Sequence, residues 1–150
     1  MDGGGTDSFC VDLLSAIYFL YDLLGKVTME DFLFKKLVVW QKSMDFARLV
    51  YSVVRQLPQD ERFALADQLR RAAISVPSNI AEGNGRGSNN DYAHFLAIAR
   101  GSLFETLTQL ELSKDLGYIS DYDSISILAA EISRMLTAML QKYGNLQQKT

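Results

Sequence analysis

The stretch Gln68–Gly87, QLRRAAISVPSNIAEGNGRG, decides the fold of this chain. Residues three and four apart share one face of a helix, and here they make three faces. Leu65, Leu69, Ala72, Val76 and Ile80 form an apolar stripe of core width. Gln68, Arg71, Ser75, Ser78, Glu82 and Arg86 form a wholly polar second stripe. Phe63, Ala66, Ile74, Pro77 and Ala81 form a third, small or apolar and interrupted only by Arg70. A surface helix needs one apolar face, so a second implies cover from another subunit or helix layer. Phe63, Ile74 and Ala81 are therefore the candidate oligomer-interface residues.

Pro77 stands inside this pattern. Proline lacks the N–H and crowds the preceding turn. The apolar stripe nevertheless continues in phase to Ile80. The spacing predicts a kinked but continuous helix, with the carbonyl near Ala73 freed and Ser78 and Asn79 placed for local hydrogen bonds. A loop at Pro77 is the alternative. The helix should end in Gly83-Asn84-Gly85-Arg86-Gly87. A glycine trio beside an arginine invites a phosphate-loop reading. The spacing is not G-x-G-x-x-G, no Lys-Ser/Thr follows, and a helix rather than a strand precedes it. A left-handed cap at Gly83 or Gly85 followed by chain reversal is the expectation instead.

Beyond the turn, Ser88 with Asp91 resembles a capping box that opens helix three. Tyr92, Leu96, Ala99, Leu103, Leu107 and Leu110 are its core face, and the small pair Gly101-Ser102 permits close helix approach. Gly117 is its predicted C-cap. Ser120 with Asp123 marks helix four, whose seam is Ile125, Leu128, Ile132, Met135 and Met139. Upstream, helix one is expected from about Asp31 to Leu57, closed by Leu57-Pro58. Leu33, Leu37, Trp40, Met44, Ala47, Tyr51 and Val54 alternate at spacings of four and three, the repeat of a bundle seam. Trp40 is accordingly read as core. Val39, Phe46, Val50, Val53 and Leu57 make a second stripe. Short turns between long helices predict an all-α, up-down-up-down antiparallel four-helix bundle over residues 29–144. Residues 145–150 are a polar, fraying tail.

Residues 1–28 differ in character. A glycine-rich start precedes the apolar run Phe9–Leu24, which contains Asp12 and Asp22. That run is short for a membrane span and lacks a basic flank or cleavage site. It is read as an extension, an over-extended start ahead of Met29, with an extra helical segment as the alternative. A chain beginning at Met29 is expected to fold with the same helical content.

The stretch QLRRAAISVPSNIAEGNGRGS, followed by DYAHFLAIARGSLFETLTQLELSKDLGYI, resembles the four-helix-bundle family whose founding members are encoded in intervening sequences of 23S ribosomal RNA genes. The similarity spans about Asp31–Tyr143. The accessory proteins of diversity-generating retroelements look like a branch of the same family. The resemblance implies a homo-oligomer, a five-membered ring being favoured. For the retroelement branch it implies contact with a reverse transcriptase and with nucleic acid.

Composition narrows the function classes. The 150 residues are 48% hydrophobic and 22% charged, the balance of one globular domain. Of 18 acids and 15 bases, four acids (Asp2, Asp7, Asp12, Asp22) and one base (Lys26) lie in residues 1–28, which leaves 14 of each in the bundle. A neutral bundle has no global attraction to polyanions. A single cysteine, Cys10, excludes an internal disulfide framework and fits the cytoplasm. With His94 as the only histidine, neither a zinc site nor the paired Glu-x-x-His of a di-iron bundle is supported. No nucleophile has a partnered base. The expectation is a protein without catalytic residues, cofactor, metal, membrane span or small-molecule substrate. Two classes fit: an oligomeric interaction module, or a protein that places Arg70, Arg71, Arg86 and Arg100 on the phosphates of RNA or DNA. Arg71, Asn79, Glu82 and Glu105 are the candidate members of a structural polar network.

Overall fold

The computed structural model describes residues 15–17, 19–20 and 32–144. The chain divides between Phe32 and Leu33 into two compact units. In the first, residues 15–17 and 19–20 are helical. The rest of the predicted 1–28 extension, and the 145–150 tail, lie outside the described residues.

The second unit holds four long helices: α1 (Val38–Val54), α2 (Leu65–Asn84), α3 (Asn89–Asp115) and α4 (Asp123–Gly144). No strand occurs among the described residues. Each helix packs on its successor and α4 returns to α1, the contact pattern of an antiparallel bundle with short connections. Between α1 and α4, Lys42 Nζ meets Glu131 Oε2 at 2.6 Å. That hydrogen bond and positive charge hold the Glu131 carboxyl below its ordinary range.

Three helix starts fall later than the sequence predicts, which places them near Asp31, Asp60 and Ser120. Leu33–Lys36 forms a 3-10 turn, and α1 begins only at Val38. Gln59–Phe63 forms another, and α2 begins at Leu65 after a non-helical Ala64. Glu61 explains the second break. One carboxylate oxygen accepts from the Leu65 amide at 3.3 Å, and the other accepts from the Tyr118 hydroxyl at 3.2 Å. It thereby caps α2 and ties its start to the α3–α4 connection. Helix α4 starts at Asp123 rather than at Ser120, whose hydroxyl donates to Asp121 instead.

The core of α2 and α3 follows the predicted stripes. Leu69, Ala72, Val76 and Ile80 are buried from α2, and Tyr92, Leu96, Ala99, Leu103 and Leu110 from α3. In helix α1 the predicted second stripe supplies most of the core: Val39, Phe46, Val50 and Val53, with Ser43 completing the row, while Ala47 and Val54 of the predicted seam are buried beside it. The predicted seam residues Trp40, Met44 and Tyr51 are only half-buried. Trp40 packs against the core from outside. Ser43 is tolerated because its hydroxyl donates to the Val39 carbonyl at 2.6 Å. Buried Thr106 and Ser113 use the same bond, to Ser102 at 2.8 Å and Gln109 at 2.7 Å.

Helix α2 runs unbroken through Pro77. Asn79 Nδ2 donates to the Ser75 carbonyl at 2.7 Å and to Ser75 Oγ at 2.9 Å. Ser75 Oγ in turn lies 2.8 Å from Ser102 Oγ on α3. The predicted C-cap of α3 forms, and of the capping box at its start the Ser88 side-chain half forms, while the Asp91 carboxylate accepts from the Ser88 hydroxyl at 2.7 Å. Ser88 Oγ accepts from the Asp91 amide at 3.1 Å. Gly117 takes φ +73°, with Tyr118 N–H donating to Ser113 and Gly117 N–H to Lys114, the paired bonds of a left-handed C-cap.

The α2 glycines do otherwise than predicted. Gly85 ends the helix with φ −78°, and among the described residues only Gly117 has positive φ. Gly83 is buried inside α2, where a Cβ would stand 2.7 Å from Phe95 Cβ and 2.9 Å from Tyr92 Cδ2. The glycine serves close approach of α2 and α3, not a left-handed turn.

Candidate interaction surface

A groove of about 630 Å³ runs between α1 and α2 on the outside of the bundle. Helix α1 contributes Trp40, Met44, Ala47 and Tyr51 to its floor, and α2 contributes Ile74, Pro77 and Ala81. Phe34 closes one end, its ring 5.2 Å from that of Trp40 in an edge arrangement. The groove thus unites the displaced seam of α1 with the third stripe of α2. Its rim is polar and basic: Arg48, Ser52, Arg55 and Ser78. Arg48 pairs with Asp45 at 2.6 Å, while Arg55 forms no ion pair among the described residues.

Of the three candidate interface residues, Ile74 and Ala81 line this groove. Ile74 is 44% exposed, a large aliphatic side chain held at the solvent boundary. Phe63 does not join them. It is 86% exposed on the 3-10 turn before α2, with the Arg62 guanidinium 5.3 Å from its ring centre. The chemistry of the groove is burial: an apolar floor, few hydrogen-bonding groups, and cations only at the edge. Among the described residues no cluster of side chains is arranged to hold a metal ion. No helix of the described residues is long and apolar enough to cross a membrane.

The predicted polar network does not assemble as one unit. Arg71 pairs with Asp67 at 2.9 Å, not with Glu82 or Glu105. Glu82 pairs with Arg86 at 2.5 Å. Glu105 accepts from Gln109 at 3.1 Å. Asn79 alone enters an interhelical network, through Ser75 and Ser102. Both ion pairs have the acid four residues ahead of the base on an exposed helix face, the favourable local order. Such a pair contributes about 0.3–0.5 kcal/mol. Arg71→Gln is therefore expected to lower stability by no more than about 0.5 kcal/mol in a urea titration. A loss of several times that would give Arg71 a tertiary partner after all.

The four arginines considered for phosphate contact are dispersed. Arg70 and Arg71 lie in the first turns of α2, and Arg70 borders a small cleft with Arg55, Pro58 and Arg62. Arg86 lies beyond the far end of α2, its guanidinium 4.9 Å from the Phe95 ring centre. The helical rise from Arg71 to the end of α2 at Asn84 alone is about 20 Å, and Arg86 lies beyond it. Arg100 is partly buried in the middle of α3. Arg71 and Arg86 are thus held at opposite ends of α2, and Arg100 is on a different helix.

The structure also marks residues that the sequence reading passed over. Arg48 and Arg55 form the basic rim, and the signal for them was present: they follow Met44 and Tyr51 by four residues each on one face of α1.

The sequence profile described as 23S rRNA-intervening sequence protein matches residues 35–138. No curated protein matches the chain. Among solved structures, the chain resembles a protein of unknown function from the S23 ribosomal protein family of Bacteroides thetaiotaomicron, known at 1.70 Å resolution. The two are 30% identical with a TM-score of 0.64, over 69% of this chain and 99% of that one. The matched region takes in all of α1, α2 and α3, most of α4, and with them the whole groove floor, so the chain belongs to the 23S rRNA-intervening sequence protein family.

Proposed function

We propose that this protein is a non-enzymatic, oligomeric assembly module of the cytoplasm, whose subunits meet on the α1–α2 groove. The observation that carries the reading is the groove floor. Trp40, Met44, Tyr51, Ile74 and Ala81 form a continuous apolar surface that the bundle leaves open to solvent. Surfaces of this kind, rimmed by polar groups, belong to contacts with another macromolecule. The family description and the related structure name no enzymatic activity. The family resemblance adds a ring of five as the favoured assembly.

An oligomer couples folding to association, so its melting temperature rises with protein concentration. Thermal unfolding of the full chain at roughly 1 and 100 µM is expected to show an upward shift of several degrees. Identical melting temperatures at the two concentrations would remove subunit contact as a contributor to the fold and overturn the reading.

A further inference from the structure

Helix α3 carries apolar residues on two opposite sides. Tyr92, Leu96, Ala99, Leu103 and Leu110 are buried in the core. Ala97, Gly101, Phe104, Thr108 and Leu112 recur at spacings of three and four and therefore share the side facing away from it. All five are exposed. Phe104 is 49% and Leu112 48% exposed, as open as Ile74 in the groove. A helix that is apolar on both sides is ordinarily covered on both. Gly101 adds a separate observation. Glycine in an exposed helix interior is unfavourable relative to alanine, and no contact among the described residues requires it. A Cβ there would meet no atom within 4 Å, and its φ is not positive. The helix backbone at Gly101 is thus open to close approach.

We propose that the outer ridge of α3, centred on Gly101, Phe104 and Leu112, seats in the α1–α2 groove of a second copy of this chain. The proposal rests on the oligomer reading and specifies its geometry. One face is concave and the other convex. Their edges also match in charge. The groove carries Arg48 and Arg55 on its rim, and the ridge is flanked by three acids, Glu105, Glu111 and Asp115, against the one partly buried base Arg100. Arg55, Glu105 and Asp115 form no ion pair within the described residues. Opposite charges around an apolar contact fix register and partner choice. Because the two faces are different surfaces of one chain, the contact is head-to-tail. Such contacts propagate until they close into a ring or extend as a filament. Each subunit then uses its groove for one neighbour and its α3 ridge for the other.

This geometry has a test that a face-to-itself contact fails. Ile74→Glu blocks the groove and leaves the ridge intact. Phe104→Glu blocks the ridge and leaves the groove intact. Both positions are exposed, so far-UV circular dichroism is expected to show unchanged helix in each. Each variant alone is expected to run at the 16.8 kDa of one chain. Mixed in equal amounts at roughly 100 µM, where a single contact without ring closure is occupied, they are expected to form a dimer and nothing larger. Its mass is twice 16.8 kDa, since one good groove meets one good ridge. Gly101→Gln, which improves helix propensity while filling the notch, is expected to raise the concentration needed for assembly by at least about tenfold. A mixture that stays monomeric, or a Phe104→Glu chain that assembles like the unaltered one, overturns the ridge-in-groove contact while leaving oligomerisation standing. An unaltered chain that is itself monomeric overturns both.

Discussion

Ile74→Glu is expected to convert the assembly to monomers without loss of helix. Ile74 sits on the floor of the α1–α2 groove, 44% exposed in the single chain. A glutamate there points into water when the subunit is alone, so the fold loses little. In a contact that covers the floor, the same carboxylate is taken from water beside Pro77, Ala81 and Tyr51 without a basic partner at that depth. Burying an unpaired charge costs several kcal/mol, of order 3–5. At about 1.4 kcal/mol per tenfold, that is a loss of roughly two to three and a half orders of magnitude per contact. Every subunit in a ring carries the substitution, so every contact is weakened at once. Light scattering at micromolar concentration checks the result, with far-UV circular dichroism as the control. An Ile74→Glu chain that keeps the unaltered mass would move the interface off this groove.

Gly83→Ala is expected to destabilise the bundle by about 1–3 kcal/mol, the cost of overpacking a filled core. The sign is the informative part. Alanine is a better helix former than glycine by about 1 kcal/mol, so propensity alone predicts a gain. The new methyl would stand 2.7 Å from Phe95 Cβ and 2.9 Å from Tyr92 Cδ2. Phe95 Cβ is fixed to the α3 backbone and cannot swing aside. The Tyr92 ring is itself held against Tyr143, with centroids 4.8 Å apart. Relief requires α2 and α3 to separate near their connection. Gly101→Ala is the matched control, since the Cβ meets nothing there. It is expected to stabilise the isolated chain by up to about 1 kcal/mol. Urea midpoints for the pair settle the comparison. Stabilisation of similar size at both positions would contradict the close packing of α2 on α3.

The parts of this fold legible in the sequence are those where one apolar row ran unbroken. In α2 and α3 the rows through Leu69 and Ile80, and through Leu96 and Leu103, have no charged residue in them, whereas the other row of α2 is interrupted by Arg70, and each unbroken row is core. Helix α1 carried two rows, and the choice between them went to the aromatic one. The row through Val39, Phe46 and Val50 is broken by Ser43, which looks surface-like until its hydroxyl finds the Val39 carbonyl. Trp40 and Tyr51 look like core because of their size, yet Arg48, Ser52 and Arg55 share their side of the helix. That polar company was the signal for a rim rather than an interior. The glycine of NIAEG failed for another reason. A left-handed cap and a close interhelical contact both call for glycine, and only the position of Phe95 on the next helix separates them. The charged residues went astray by reaching too far. Arg71 and Arg86 each have an acid four residues earlier, and the local pair forms before any longer-range one is needed. Ile74 and Ala81 were legible as surplus apolar surface. What they face was not, because the groove exists only once α1 has turned its Trp40–Met44–Tyr51 row outward.

The central claim is that the α1–α2 groove is covered by another copy of this chain. The mass of the unaltered, full-length protein in solution tests it most directly, by native mass spectrometry or light scattering at micromolar concentration. A discrete multiple of 16.8 kDa is the expected result, with five chains the favoured number. A single species at 16.8 kDa, unchanged on concentration, would contradict it.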